Sequence, residues 1–167
     1  MALHQSWVHG NAFAPPEFPA AGLYEVDNVR WTDITGLRKG WGSFWLGQPG
    51  QSNWFHVAIP TPTIVEGARV RLQQIFVLFT AGDSTATGAN ASGANITDIH
   101  VWDGPNRIKT FGPFNLFGDH RQPPGNSFQL PAMPQISCGV GISVRATFSN
   151  VGDQLIGFAG AGADFDI

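Results

Sequence analysis

The chain has 167 residues, a net charge of −3 and only 13% charged residues, about half the usual share. Together with 21 Gly, 12 Pro and 12% aromatic residues, this composition describes one β-rich domain (residues 1–167) with many turns and excludes a coiled coil or a disordered chain. The nine Lys and Arg are scattered, so nucleic acid is not an expected partner, because phosphate binding needs concentrated positive charge.

Residues 4–13 read as a first strand, closed by a breaker segment with Pro15, Pro16 and Pro19. A second extended piece spans 23–35, and Gly36 to Gly42 bound a turn carrying Arg38, Lys39 and Trp41. Residues 43–46 and 53–59 flank a Gly/Pro-containing loop and predict a hairpin. Pro60, Pro62 and a Glu66-Gly67 turn lead into 69–80, the stretch around which the domain is organised. Its second half, Ile75, Phe76, Val77, Leu78 and Phe79, is apolar at every residue. Successive side chains of a strand point to opposite faces, so this run predicts a central strand covered on both sides, by a second layer or by another subunit.

A polar Gly/Ala/Ser/Asn loop follows over 81–95, and then the clearest hairpin of the chain. Ile99 and Val101 alternate with Asp98, His100 and Trp102, Asp103 to Asn106 make a four-residue turn, and 107–111 return. That register sets Trp102 opposite Arg107, His100 opposite Lys109 and Asp98 opposite Phe111 on one face. Residues 112–126 are rich in turns. From 139 to 148 the pattern alternates strictly, with Val140, Ile142, Val144, Ala146 and Phe148 inward. The last strand, 156–165, is built of Gly and Ala, which lets another backbone or a ligand approach closely. Nine or ten short strands without a helical pattern predict an antiparallel β-sandwich of jelly-roll type.

Several segments of the chain carry a resemblance. They are residues 4–12 with His4, Trp7, His9 and Asn11, residues 54–62 with Trp54-Phe55-His56 ahead of Pro60-Thr61-Pro62, residues 99–104 from Ile99 to Asp103-Gly104, residues 139–144 and residues 161–165. Together they resemble a family of small single-domain microbial β proteins without an assigned function. The resemblance spans nearly the whole chain, implies a stand-alone domain, and transfers no catalytic residue.

Five histidines raise the question of a metal. A cupin-like pair of His one residue apart is absent, and His4 and His9 fall on opposite strand faces. Only a tertiary convergence of His56, His100 and His120 with Asp119 would make a metal site, so no cofactor is expected. No Gly-x-Ser-x-Gly elbow surrounds Ser6, Ser43 or Ser143, and the acids, Glu17, Glu25 and Glu66 among them, show no legible pair. Cys138 is the single cysteine, which rules out an intrachain disulfide; beside Gly139 it is expected to be a small buried hydrophobe. Asn90 and Asn95 match glycosylation acceptor triplets. Residues 1–6 lack the pattern of a signal peptide, so a cytoplasmic protein is expected. No run reaches the roughly 18 apolar residues of a membrane span.

The six tryptophans are the strongest functional signal. A Trp with carboxylate and amide neighbours stacks on a sugar ring and bonds its hydroxyls; the same set also makes protein hot spots or a simple cross-strand pair of Trp102 with Arg107. The expected function is a non-enzymatic binding module, carbohydrate-binding (lectin-like) and homo-oligomeric. Its contacts are Trp102, Asp103, Asn106, Arg107 and Trp41. The alternatives are a small jelly-roll enzyme with a His/Asp site and a self-assembling structural protein.

Overall fold

The computed structural model describes residues 3–15, 37–82, 93–123, 125–152 and 154–167. The expected strand 23–35, most of the loop 81–95 and the Asn90 triplet lie outside them. Among the described residues there are thirteen strands, one 3-10 turn at Gly10–Ala12 and no α-helix. The strands are β1 (His4–His9), β2 (Leu37–Lys39), β3 (Gly42–Leu46), β4 (Ser52–Ala58), β5 (Ile64–Val65), β6 (Ala68–Arg69) and β7 (Arg71–Ala81). They continue with β8 (Ala94–Asp103), β9 (Asn106–Phe111), β10 (Gly118–His120), β11 (Ser127–Gln129), β12 (Val140–Phe148) and β13 (Leu155–Asp166).

All pairings between them are antiparallel. One sheet has seven strands: β7 and β13 lie at its centre, β10 and β11 follow one another along the free edge of β7, and β3 and β1 do so along β13, with β2 outside β3. The second sheet runs β4-β12-β8-β9, and β5 and β6 form a small ribbon. Take β1 with β3, and β10 with β11, as one broken strand each, set aside β2, β5 and β6, and number the remaining eight principal strands in chain order. The two sheets then read 1-8-3-6 and 2-7-4-5, the strand order of a jelly roll.

Residues 43–46 and 53–59 do not pair as a hairpin: β3 lies in the seven-stranded sheet and β4 in the other. The chain crosses between layers at Gly47, whose added Cβ would fall 2.1 Å from the Phe148 ring. In a jelly roll most neighbours in sequence sit in opposite sheets, and here only β8 and β9 of the principal strands are both consecutive and paired.

The core lies between the sheets. Phe55 of β4 meets Phe158 of β13 at 5.2 Å between ring centroids, and Phe13 stacks on Phe158 at 4.1 Å. The alternation read in β12 holds: Val140, Ile142, Val144, Ala146 and Phe148 are buried. On β7, Leu72, Ile75, Val77 and Phe79 point into the core. On its outer face Phe76 and Leu78 are half-buried, and Trp7 of β1 lies across β13 and stacks on Phe76 at 5.0 Å. Glycine in β13 permits this approach: a Cβ at Gly162 would lie 2.6 Å from the Trp7 ring, and one at Gly157 would lie 2.6 Å from the Phe44 ring.

The β8–β9 hairpin is tighter than the sequence implied. Asp103 pairs with Asn106, leaving a two-residue turn at Gly104-Pro105, and Gly104 takes the left-handed φ of 55° that the turn needs. A bulge at Ile108 then shifts the ladder, so Trp102 still faces Arg107 but His100 faces Thr110 and Ile99 faces Phe111. Lys109 consequently lies opposite the inward-facing Val101, away from the tryptophan.

Candidate functional site

The outer face of the four-stranded sheet carries a contiguous group of polar and aromatic side chains. Strand β12 runs through its middle and presents Gly141, Ser143 and Arg145 outward. Register places Gly141 between Ala58 and Trp102, Ser143 between His56 and His100, and Arg145 between Trp54 and Asp98. The inward residues of β12 are core, so the outward set is fixed by strand alternation alone.

Ser143 is the hub. The residue is 6% exposed, and its hydroxyl accepts a hydrogen bond from Trp102 Nε1 at 3.0 Å and lies 2.8 Å from His56 Nδ1. An indole N–H only donates, so the serine proton remains for His56 Nδ1, which suits an unprotonated imidazole. Burial pushes the His56 pKa below its ordinary value of 6.5. His100 is also lowered, by burial first and then by the Arg107 charge, with Asp98 acting in the opposite sense. Both imidazoles are therefore neutral at neutral pH. Trp54 packs on His100 at 4.4 Å, and His100 meets Trp102 at 6.1 Å, so three rings form a ridge across the sheet.

Beside Trp102 the surface opens into a cleft of about 440 Å³. Its floor is small, with Ala12, Ala58 and Gly141; Trp102 forms a wall, and His56 with Ser143 supplies the polar end. The indole is thus fixed at its N–H and lines the cleft, a preorganised surface for a flat or ring-shaped ligand.

The sequence-derived candidates are distributed as follows. Trp102 is half-buried at the cleft, with the Arg107 guanidinium 6.0 Å from its ring centre. Asn106 and Arg107 are exposed at the adjacent turn. Asp103 is buried at 6% exposure, and its carboxylate accepts from three successive backbone N–H groups, those of Ser137 at 2.9 Å, Cys138 at 2.7 Å and Gly139 at 3.0 Å. Burial pushes its pKa up, but the three N–H donors and the Arg69 charge outweigh this and hold it below 3.8. Asp103 therefore clamps residues 137–139 to the hairpin that carries Trp102.

Trp41 stands apart from this group, at the turn into β3 of the other sheet. Its ring meets Phe44 edge-on at 4.8 Å and lies under the Arg121 guanidinium at 5.2 Å. Arg121 is paired with Asp119, whose pKa falls to about 2, chiefly through this side-chain hydrogen bond. His120 is likewise on the seven-stranded sheet, stacked on Phe79 at 4.7 Å. The convergence of His56, His100 and His120 thus does not form, because the third histidine belongs to the other layer. Among the described residues no group of three or more His, Cys, Asp or Glu gathers as a metal site. Cys138 is exposed rather than buried; its backbone N–H is held by the buried Asp103 carboxylate while its thiol faces out.

Residues 29–165 match a family model described as a family of unknown function (DUF6623). The chain belongs to this family. No curated protein matches the sequence. Nothing about the DUF6623 family itself assigns a role to the cleft, so its chemistry rests on the residues just described. Two of them, Ser143 and Trp54, were missed as site residues; the alternation of β12 placed Ser143 outward, but its neighbours on β4 and β8 come only from the fold. No helix among the described residues is long and apolar enough to cross a membrane.

Proposed function

We propose that this DUF6623 protein is a non-enzymatic binding module whose ligand is a saccharide, held in the cleft beside Trp102. The observation that carries the reading is the fixed indole: Ser143 holds its N–H at 3.0 Å while the ring borders a cleft with a floor of small residues. An apolar sugar face stacks on such a ring. His56 at the cleft and Asn106 and Arg107 at the adjacent turn are exposed and bond the hydroxyls, Ser143 holds the ring, and Asp103 contributes by holding the turn. The test is a glycan-array screen of the protein and of Trp102→Ala. Binding to a defined set of glycans that the variant loses is the expected result, and equal binding by both removes this site. The mass in solution, measured alongside, tests the self-association expected from the sequence.

A second reading has one observation in its favour. The 2.8 Å contact of Ser143 Oγ with His56 Nδ1 is the geometry of a nucleophile and its base. Among the described residues no carboxylate bonds His56, and the serine oxygen already accepts from Trp102. Labelling of Ser143 by a fluorophosphonate probe would favour hydrolysis; an unlabelled protein leaves the binding reading in place.

A further inference from the structure

The opposite face of the sandwich holds a second aromatic and polar constellation, built on Trp7. This indole is 45% exposed. A Cβ added at Gly162 would lie 2.6, 2.7 and 2.9 Å from three ring atoms around the indole fusion. Three nearly equal distances mean that the glycine looks at the ring face, so the indole lies flat on the sheet with its other face outward. Stacking on Phe76 at 5.0 Å and 29° holds it there.

The adjacent row of the same sheet is polar from edge to edge. Register aligns Gln5 with Asp164, Asp164 with Gln74, and Gln74 with Gln129. Gln74 Nε2 donates to Asp164 Oδ2 at 2.5 Å, and Gln129 Nε2 donates to Gln74 Oε1. Gln74 thus turns its NH2 to Asp164 and its carbonyl to Gln129, and the row runs in one direction. The carbonyl of the exposed Gln129 is then left as a free acceptor, and Gln5 is exposed at the other end. Asp164 Oδ1 is a further unused acceptor: it has no hydrogen-bond partner, and the residue is 1% exposed. A buried carboxylate oxygen without a donor costs stability unless a water or a ligand hydroxyl supplies one.

We infer that the Trp7 face is a second saccharide site, with a pyranose stacked on the indole and its hydroxyls bonded along the Gln5-Asp164-Gln74-Gln129 row. The inference rests on the saccharide reading proposed above, but uses none of the residues of the Trp102 cleft. Since the two outer faces of a sandwich point in opposite directions, a single chain with both sites would bridge two glycan chains and cross-link a polysaccharide, gaining avidity from the linkage. Asp164 acts here as a positioning residue, through the glutamines it orients.

The test uses the full chain with Trp7→Ala, Trp102→Ala and the double variant. Each is applied to an array of immobilised oligosaccharides, and the strongest-binding array glycan is then titrated as the free sugar. Two sites per chain in the parent, one in each single variant and none in the double variant are the expected results. Gln129→Leu in the Trp102→Ala background weakens the remaining site without disturbing the ring packing, which keeps the test valid if Trp7→Ala does not fold. A single parental site that disappears in Trp102→Ala and is untouched by Trp7→Ala overturns the second site and leaves the first. A single site lost in Trp7→Ala and kept in Trp102→Ala does the reverse. No glycan binding by the parent overturns both. A mass in solution that falls in Trp7→Ala would make this face a contact between copies of the chain, and would also overturn the inference.

Discussion

Replacing Asp103 by alanine removes one acceptor group from three backbone N–H donors at 2.7–3.0 Å. Hydrogen bonds to a charged partner contribute about 1.5–3 kcal/mol each, and they do not add fully. Ser137 and Cys138 are exposed, so water replaces part of what is lost at two of the three amides. The net cost of Asp103→Ala is therefore about 2–4 kcal/mol, less than the sum of the bonds. For a domain of this size it lowers the melting temperature by about 4–16 °C. Asp103→Asn keeps one acceptor but turns a second donor toward the amides, so it falls between the parent and the alanine variant. Urea unfolding followed by circular dichroism measures this directly, with a lower midpoint at an unchanged slope. The carboxyl also makes stability depend on pH. Its folded pKa lies below the reference value of 3.8, so the stabilisation is complete above that value and is lost as pH falls through the folded pKa. Asp103→Asn should flatten this acid limb. An alanine variant within about 0.5 kcal/mol of the parent, the ordinary range for a surface substitution, would refute the clamp.

Three further outcomes follow from the same geometry. Ser143→Ala leaves the Trp102 N–H and His56 Nδ1 without their shared partner and should cost about 1–2 kcal/mol, with a shift in tryptophan emission; unchanged stability and emission would mean that Ser143 is no hub. Gly162→Ala drives a methyl into the Trp7 ring at 2.6 Å, which should cost about 1–3 kcal/mol of overpacking and alter the near-ultraviolet circular dichroism. Because burial lowers the His56 pKa below 6.5, folding prefers the neutral imidazole. Stability is then highest above 6.5 and declines as pH falls toward the folded value, and His56→Gln should remove part of that decline.

The jelly roll was legible because its signals are local. The strict alternation of residues 140–148, the apolar run 75–79 and the Gly104-Pro105 turn each report on their own segment. Pairing was legible only where it too is local, in the β8–β9 hairpin, and even there the bulge at Ile108 escaped, since nothing in a single strand's pattern marks an extra residue. The false hairpin of residues 43–46 with 53–59 has the same origin: neighbours in sequence were read as neighbours in space, whereas Gly47 carries the chain over Phe148 to the other layer. For the candidate site, Trp102 and Arg107 could be found as a cross-strand pair. Ser143, 41 residues from Trp102 and 87 from His56, could not, because only the closed sheet brings three strands side by side. An acid beside a tryptophan reads in the sequence as a ligand contact, whereas the hydrogen-bond partners of Asp103 are the backbone amides of residues 137–139.

The central claim is that the Trp102 indole receives the ligand. The most direct measurement follows the indole N–H signals of the six tryptophans by two-dimensional NMR while a glycan selected on the array is added, with Trp102 assigned through Trp102→Phe. The expected result is a saturable shift of the Trp102 Nε1–H and of the amides of Gly141 and Ser143. A protein that binds the glycan while these three signals stay in place would contradict it.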